Sequence, residues 1–592
     1  MRRALLGLVA ALFLVLPSPG ARAEGNATPK LDGEIKGLID RIDPARIQTN
    51  IEKLATFQNR NACSQNLAPN PGVDNGTKGI LASQDWVKAQ FAANKGLKVA
   101  FASYFHANCP TSLTQNVVAW LPGKKHPERL VVIGGHLDSR SFGVLDTDPT
   151  TANLLSIAGA QPGTRTQENA PAGDDAGAQT TLVLEAARAL SRGSFDNTIV
   201  FISFSGEEQG LFGSADPAVP GRLAEITGIP NAKVVAMLNN DISGGDNLAN
   251  TGDDFSAFRL YSAGTPRERG SRAPDGTTDN TSPARGLMRF IATFGVPFVD
   301  GFSMRPVLRE DRPGRGSDQT SFINNGVPAV RFIESHECSS SPVDNKGCTI
   351  GADGLCTAAN LSPFAALPRT DPRHNCLHTN FVCAPTDSPL SSCTGTSTVI
   401  PKTRVCANDD ERAHGIDLPA TFGSQKFLNE GCVDDTPGIA NPFHNFQRQH
   451  VPNDRPENPT ADYEARIAKV MSATLASLAR APNAPVDFAA AGNATSGVRV
   501  TFNAAPGDKV EKFIVAARAT NENFHRGRVR VEGTNAFVTP AQLGFAPGEP
   551  FFISVSALGD GNHESLFAYP EFRCDATACV IPAGALAITA SK

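Results

Sequence analysis

A handful of short stretches place His, Asp and Glu where a hydrolytic metal site needs them. The first is HLD, in which His136 ends an apolar run and Asp138 follows two residues on. Residues i and i+2 of an extended chain point the same way, so Asp138 can accept the second imidazole N–H and fix the tautomer. The second is the adjacent pair Asp174 and Asp175, just before a helical pattern. Capping a helix employs one Asp readily, but two neighbouring carboxylates repel unless a cation or the helix N-terminus compensates. The third is Glu207-Glu208, which follows the apolar strand IVFISFS. One of them can bind a metal while the other, pointing elsewhere, serves as general base. Asp241 ends LNND after another apolar strand, and alone reads equally well as a turn former. His450, in RQHVPND, alone reads as a surface histidine. The set holds imidazole and carboxylate without thiolate, which suits Zn²⁺ in a hydrolytic site rather than a closed structural one.

Most of these residues come just beyond the ends of expected strands. Apolar runs over 130–133, 198–204, 234–238 and 329–333 have the length and β-branching of buried strands. Helical spacing covers 179–190, 283–293 and 462–478, the last with Thr460 as its expected N-cap. Strands alternating with helices predict an α/β domain with a mainly parallel sheet, and ligands collect at the carboxyl edge of such a sheet. Before this region, Ile47, Ile51, Leu54 and Phe57, and then Trp86, Val87 and Phe91, recur at helical spacing.

With 592 residues the chain exceeds one ordinary core, which predicts several parts. Residues 1–23 read as a signal peptide: Arg2 and Arg3, an apolar stretch too short to span a bilayer, then Ala21-Arg22-Ala23. Cleavage there takes the formal charge from −5 to −8, which excludes nucleic acid and anionic membrane as expected partners. No later segment is apolar enough for a membrane anchor, so a secreted or periplasmic location is expected. All twelve cysteines lie beyond residue 23, and eight (Cys338, Cys348, Cys356, Cys376, Cys383, Cys393, Cys406, Cys432) crowd an insertion at about 335–438. Export and the lack of close C-x-x-C pairs favour disulfides there over a structural zinc. The insertion serves either as a lid or pocket wall or as a stapled surface excursion. From residue 482 to 592, short alternating runs punctuated by turns predict a small all-β sandwich resembling a fibronectin type III module, with Phe502 where Trp is usual. Cys574 and Cys579 can close a small loop there. Nothing in the sequence sets an oligomeric state.

Taken in order, GGHLDS, AGDDAGAQ, SGEEQGLFGS, LNNDISG, SDQTSFINNGVPAV and QHVPND resemble the secreted di-zinc aminopeptidase family, which also holds glutamate carboxypeptidase II and glutaminyl cyclase. The likeness covers residues 43–480 and implies a three-layer α/β/α, phosphorylase-like domain (24–481). It implies two zinc ions per chain. His136, Asp241 and a bridging Asp174 would hold one; Asp174, Glu208 and His450, with His444 as the fallback, would hold the other. It makes Glu207 the general base on a water shared by the ions and Asp138 the support of His136, and it implies a cis peptide between Asp174 and Asp175. Two positions depart from the pattern: Gln319 and Asn453 stand where His is frequent, which bears on substrate preference.

The expected activity is zinc-dependent exopeptidase action on peptides, and acidic side chains that can hold a free α-amino group favour an aminopeptidase. A carboxypeptidase or dipeptidase needs a cation for the substrate carboxylate, and Arg305, Arg309, Arg312 or Arg315 can supply it. The contrasting reading is a noncatalytic exported binding protein built on the terminal module.

Overall fold

The computed structural model describes residues 27–62, 78–106, 113–139, 172–245, 255–264, 281–307, 310–311, 316–335, 454–520 and 522–582, with the backbone of Val405–Cys406 and Phe427–Leu428. The signal peptide, the cysteine-rich insertion apart from Ser335 and those four backbone positions, His444, His450, Arg309, Arg312 and Arg315 lie outside these residues.

Eight strands form one sheet: β1 (Lys98–Phe105), β2 (Leu113–Leu121), β3 (His126–His136), β4 (Asn197–Phe204), β5 (Lys233–Asn240), β6 (Ala257–Ser262), β7 (Ser303–Val307) and β8 (Ala329–Ile333). Their order is β1-β2-β4-β3-β5-β8-β6-β7. The centre, β4-β3-β5-β8, is parallel; β1 and β2 run against their neighbours, and the parallel pair β6-β7 joins β8 in the antiparallel sense. The sheet is thus parallel where its strands are most apolar. The sequence reading missed β1, β6 and β7, all on the flanks.

Alternate residues of the central strands pack into two different cores. Val131, Ile133, Ile199, Phe201, Leu238 and Phe332 face one layer. It contains α1 (Gly33–Ile39), α2 (Pro44–Ala55), α3 (Gly79–Ala92), α4 (Gln179–Leu190), α7 (Pro283–Phe294) and α9 (Ala461–Arg480). Leu130, Val132, Val200, Ile202 and Met237 face the other, with α5 (Phe212–Ala218), α6 (Arg222–Thr227) and α8 (Gln319–Asn324). Period-two alternation with both faces covered makes a three-layer α/β/α fold.

The helices begin where local chemistry allows. Asp43 accepts from Ala45 N at 3.0 Å ahead of Pro44, and Ser282 accepts from Arg285 N at 3.2 Å ahead of Pro283. Thr460 stands at the N-cap of α9, as expected, but its hydroxyl makes no capping bond. Its N–H instead donates to Gly244 O at 3.0 Å, which ties the start of α9 to the loop after β5.

Residues from Val486 onward build two antiparallel sheets. Val486–Asn493, Gly497–Asn503 and Asn535–Val538 form one; Lys512–Ala519, Gly527–Glu532, Phe551–Leu558, Phe572–Cys574 and Cys579–Val580 form the other. Val498, Val500, Phe513, Val515 and Ile553 share one core between them, as in a β-sandwich. Phe502 fills its place by packing on Phe513, with ring centroids 4.7 Å apart. Cys574 and Cys579 are disulfide-bonded.

Candidate metal centre

Parallel pairing brings the carboxyl ends of β3, β4 and β5 to one edge. His136 lies opposite Phe204, and Gly134 opposite Asn239. Close packing sets this edge: a Cβ on Gly134 would overlap the Phe204 ring, and one on Gly135 would meet Asn240 Nδ2 at 2.7 Å. Asn240 Nδ2 donates to Gly134 O at 2.8 Å, and the Thr180 hydroxyl donates to His136 O at 2.7 Å. The strand end that presents His136 is therefore held from two sides.

His136 is fully buried. Its Nε2 stands 3.0 Å from Asp175 Oδ1 and 3.5 Å from Asp241 Oδ1. The three ligand atoms lie within 4.8 Å of one another. Burial would pull the imidazole pKa down, but Asp175 and Asp241 outweigh it and hold it well above the usual value. One nitrogen and two carboxylate oxygens, all buried, fit a zinc ion.

The structure departs from the expected ligand set at the acid pair. Asp175 faces His136, whereas Asp174 turns to the loop after β5, where its Oδ1 accepts from Gly244 N at 3.0 Å. Both acids lie in a single wide turn, Gly173–Ala178, where Asp175 leaves helical geometry at φ −116° and ψ 80°. Adjacent side chains there diverge, so one of the two reaches His136. The expected cis peptide is absent as well; among the described residues Tyr569–Pro570 alone is cis. The turn is braced by Asp454, whose two oxygens accept from Asp174 N at 2.8 Å and Asp175 N at 3.0 Å. Asp454 is the acid of QHVPND, a motif singled out in the sequence for its histidine instead.

Asp138 also works differently from expectation. Its backbone carbonyl lies 3.1 Å from His136 Nδ1, while its carboxylate is 3.8 Å away. That carboxylate accepts from Glu207 N at 3.2 Å and Glu208 N at 3.1 Å. Asp138 thus braces the turn that carries the two glutamates. Burial pushes its pKa up to about 6, even though His136 opposes the shift.

Glu207 is half-buried and Glu208 buried, both at the end of β4. Burial, then the charge of Asp241, holds the Glu207 carboxyl well above its ordinary pKa. Asp241 shifts the other way: burial would raise its pKa, but Arg331 and His136 more than offset that. A further acid, Asp318, is buried beside the site; burial pushes it up to about 7, with Asp138 and Asp241 adding and His136 opposing.

Two buried arginines partly balance these acids. Arg60 donates to the carbonyls of Leu137, Leu54 and Ala172 at 2.8, 3.0 and 3.2 Å, and burial brings its pKa to about 10 against the pull of Asp454, Asp138 and Asp175. Arg331 stands 3.1 Å from Asp241. Neither was legible as a site residue: Arg331 interrupts an apolar run without any mark of its burial, and Arg60 stands in the polar stretch Gln58-Asn59-Arg60-Asn61, which reads as an exposed loop. Of the arginines proposed to grip a carboxylate, Arg305 is described, on edge strand β7 beside Arg259.

A model of peptidase family M28 matches residues 116–381. A probable zinc metalloprotease of Leptosphaeria maculans is 31% identical over 330 residues, 53% of this chain and 68% of that one. The chain belongs to peptidase family M28. A second relative, a probable zinc metalloprotease of Pyricularia oryzae, is 32% identical over 322 residues. That match takes in 52% of this chain and 58% of the relative, so the M28 chain spans about three fifths of that relative's length. Among solved structures, the glutaminyl cyclase of Fimbriiglobus ruber is similar over 73% of this chain and 95% of that one, with 14% identity and a TM-score of 0.38.

Proposed function

We propose that this M28 chain is an exported zinc-dependent exopeptidase, an aminopeptidase that hydrolyses the N-terminal residue of peptides. The observation that carries the reading is the buried meeting of His136, Asp175 and Asp241 at the sheet edge, with Glu207 within reach of the charges of Asp241 and His136. His136 Nε2, Asp241 Oδ1 and Asp175 Oδ1 would hold one zinc. Glu208 is offered for a second, and the family likeness adds His450. Zinc, when bound, polarises the scissile carbonyl and acidifies water.

The protein's own groups do the rest. Glu207 accepts a proton from the attacking water at its carboxylate and returns it to the leaving amine. Its raised pKa suits a group that must hold that proton between the two steps. Asp138 keeps Glu207 and Glu208 in place through their backbone N–H groups. The surplus of carboxylates at the site favours a substrate that presents a free ammonium group, which is the basis for preferring the amino terminus.

Matched peptides, one blocked at its amino end and the other at its carboxyl end, test this. Hydrolysis of the carboxyl-blocked peptide alone supports an aminopeptidase. Hydrolysis of the amino-blocked peptide alone makes the chain a carboxypeptidase. Cleavage of neither by a zinc-loaded chain removes the exopeptidase reading.

A further inference from the structure

Strand β8 carries a cation into the acid cluster. Arg331 is fully buried. It lies two residues after Ala329, which packs into the core shared with α8, so its side chain leaves the sheet on that face. Its Nη2 is 3.1 Å from Asp241 Oδ2. Its Nη1 donates to both oxygens of Asp311, at 2.7 and 2.8 Å. Asp311 Oδ2 also accepts from Gln319 Nε2 at 2.8 Å, and Gln319 Oε1 accepts from Asn239 Nδ2 at 3.1 Å. A continuous polar chain therefore runs from Asp241 to the first residue of α8. Asp241 is divided by it: Oδ1 faces His136 Nε2 at 3.5 Å, while Oδ2 is occupied by the guanidinium.

We propose that Arg331 is a positioning residue of the metal centre, which restricts Asp241 to one free oxygen and so preserves the electron-withdrawing power of an ion seated beside His136. The proposal rests on the peptidase reading above. With both oxygens free, Asp241 would chelate the ion and neutralise more of its charge. A guanidinium suits this task because it stays protonated and its planar fork spans two carboxylates at once. Asp311 completes the device. It compensates the buried cation, so that Asp241, Arg331 and Asp311 together carry the charge of a single carboxylate.

The test uses the full chain and the variants Arg331→Met, Arg331→Lys and Asp311→Asn. Zinc affinity is measured by competition with a chromogenic chelator, and kcat and KM at saturating zinc on a peptide with a free amino end. Arg331→Met should bind zinc more tightly than the unaltered chain, yet lose about 10- to 100-fold in kcat. Its KM should stay within roughly threefold. Arg331→Lys should recover part of the loss. Asp311→Asn leaves the guanidinium in place but unanchored; its kcat should fall by about 10-fold with zinc retained, and it carries the test if Arg331→Met does not fold. Unchanged kcat in folded, zinc-loaded variants overturns the proposal. So does a loss of zinc with activity per bound zinc unchanged, which is the mark of a merely structural residue. If the unaltered chain binds zinc but cleaves no peptide, the peptidase reading fails by itself. Zinc affinity of Arg331→Met then decides for Arg331: tighter binding upholds it, equal or weaker binding overturns it.

Discussion

At the residue scale the site sets many buried acids against few cations. Glu207→Gln keeps the shape of the side chain and removes its ability to take a proton. It should cut kcat by about 10²- to 10⁴-fold while bound zinc stays near the unaltered level. Zinc analysis beside initial rates checks this, and joint loss of metal and rate would make Glu207 a ligand instead. Glu464 offers a second prediction. It is buried on α9, its Oε1 accepts from Ser243, and burial pushes its pKa up from 4.5 to about 8. A carboxyl raised in the folded state contributes its full stability below its unfolded pKa and loses it as the pH climbs through the folded one. The metal-free chain should therefore melt lower near pH 8 than near pH 5, and Glu464→Gln should narrow that gap. An unchanged gap between the two melting curves would contradict the assignment. His136 and Asp241 stand out in the sequence because each closes an apolar strand, and the structure brings them together. The choice between Asp174 and Asp175 was not legible, since it depends on the dihedral angles of one turn.

At the scale of elements, the strand–loop–helix rhythm announces the central sheet, whose buried strands are apolar, β-branched runs. The flanking strands were harder to see. In β6 the apolar run is broken by Arg259, which is buried and donates to Glu334 O at 2.8 Å. In β1 exposed and buried residues mix on an edge. The turn Gly173–Ala178 is the element on which the site depends most. Gly173 N donates to Asp454 O at 3.0 Å, and a Cβ on Gly173 would overlap the Arg455 carbonyl. Gly173→Ala should push the turn off this support, costing about 1–3 kcal/mol of stability and lowering activity through displaced Asp175. Denaturant unfolding and zinc affinity, measured together, check it; a stable variant with unaltered zinc binding would show that the brace is dispensable.

At the scale of the molecule, the β-sandwich rests directly on the α/β part. Arg129 and Asp508 pair at 2.6 Å with both side chains nearly buried. Arg289 of α7 reaches Glu571 at 3.2 Å, and Glu571 also holds Arg518 at 2.5 Å. His563 and Arg480 both meet Asp32. Removing one member of a buried pair leaves its partner's charge without compensation. Asp508→Ala should thus cost about 3–5 kcal/mol and shift the melting of both parts together. Two separate transitions in calorimetry, with the α/β one unmoved, would make the module a passive appendage. Among the described residues no helix is long and apolar enough to cross a membrane.

Where the metal sits can be read from crystals of the zinc-loaded chain measured on either side of the zinc absorption edge. An anomalous peak is expected at bonding distance from His136 Nε2, Asp241 Oδ1 and Asp175 Oδ1. Zinc peaks elsewhere, with none at the ends of β3 and β5, would contradict this placement.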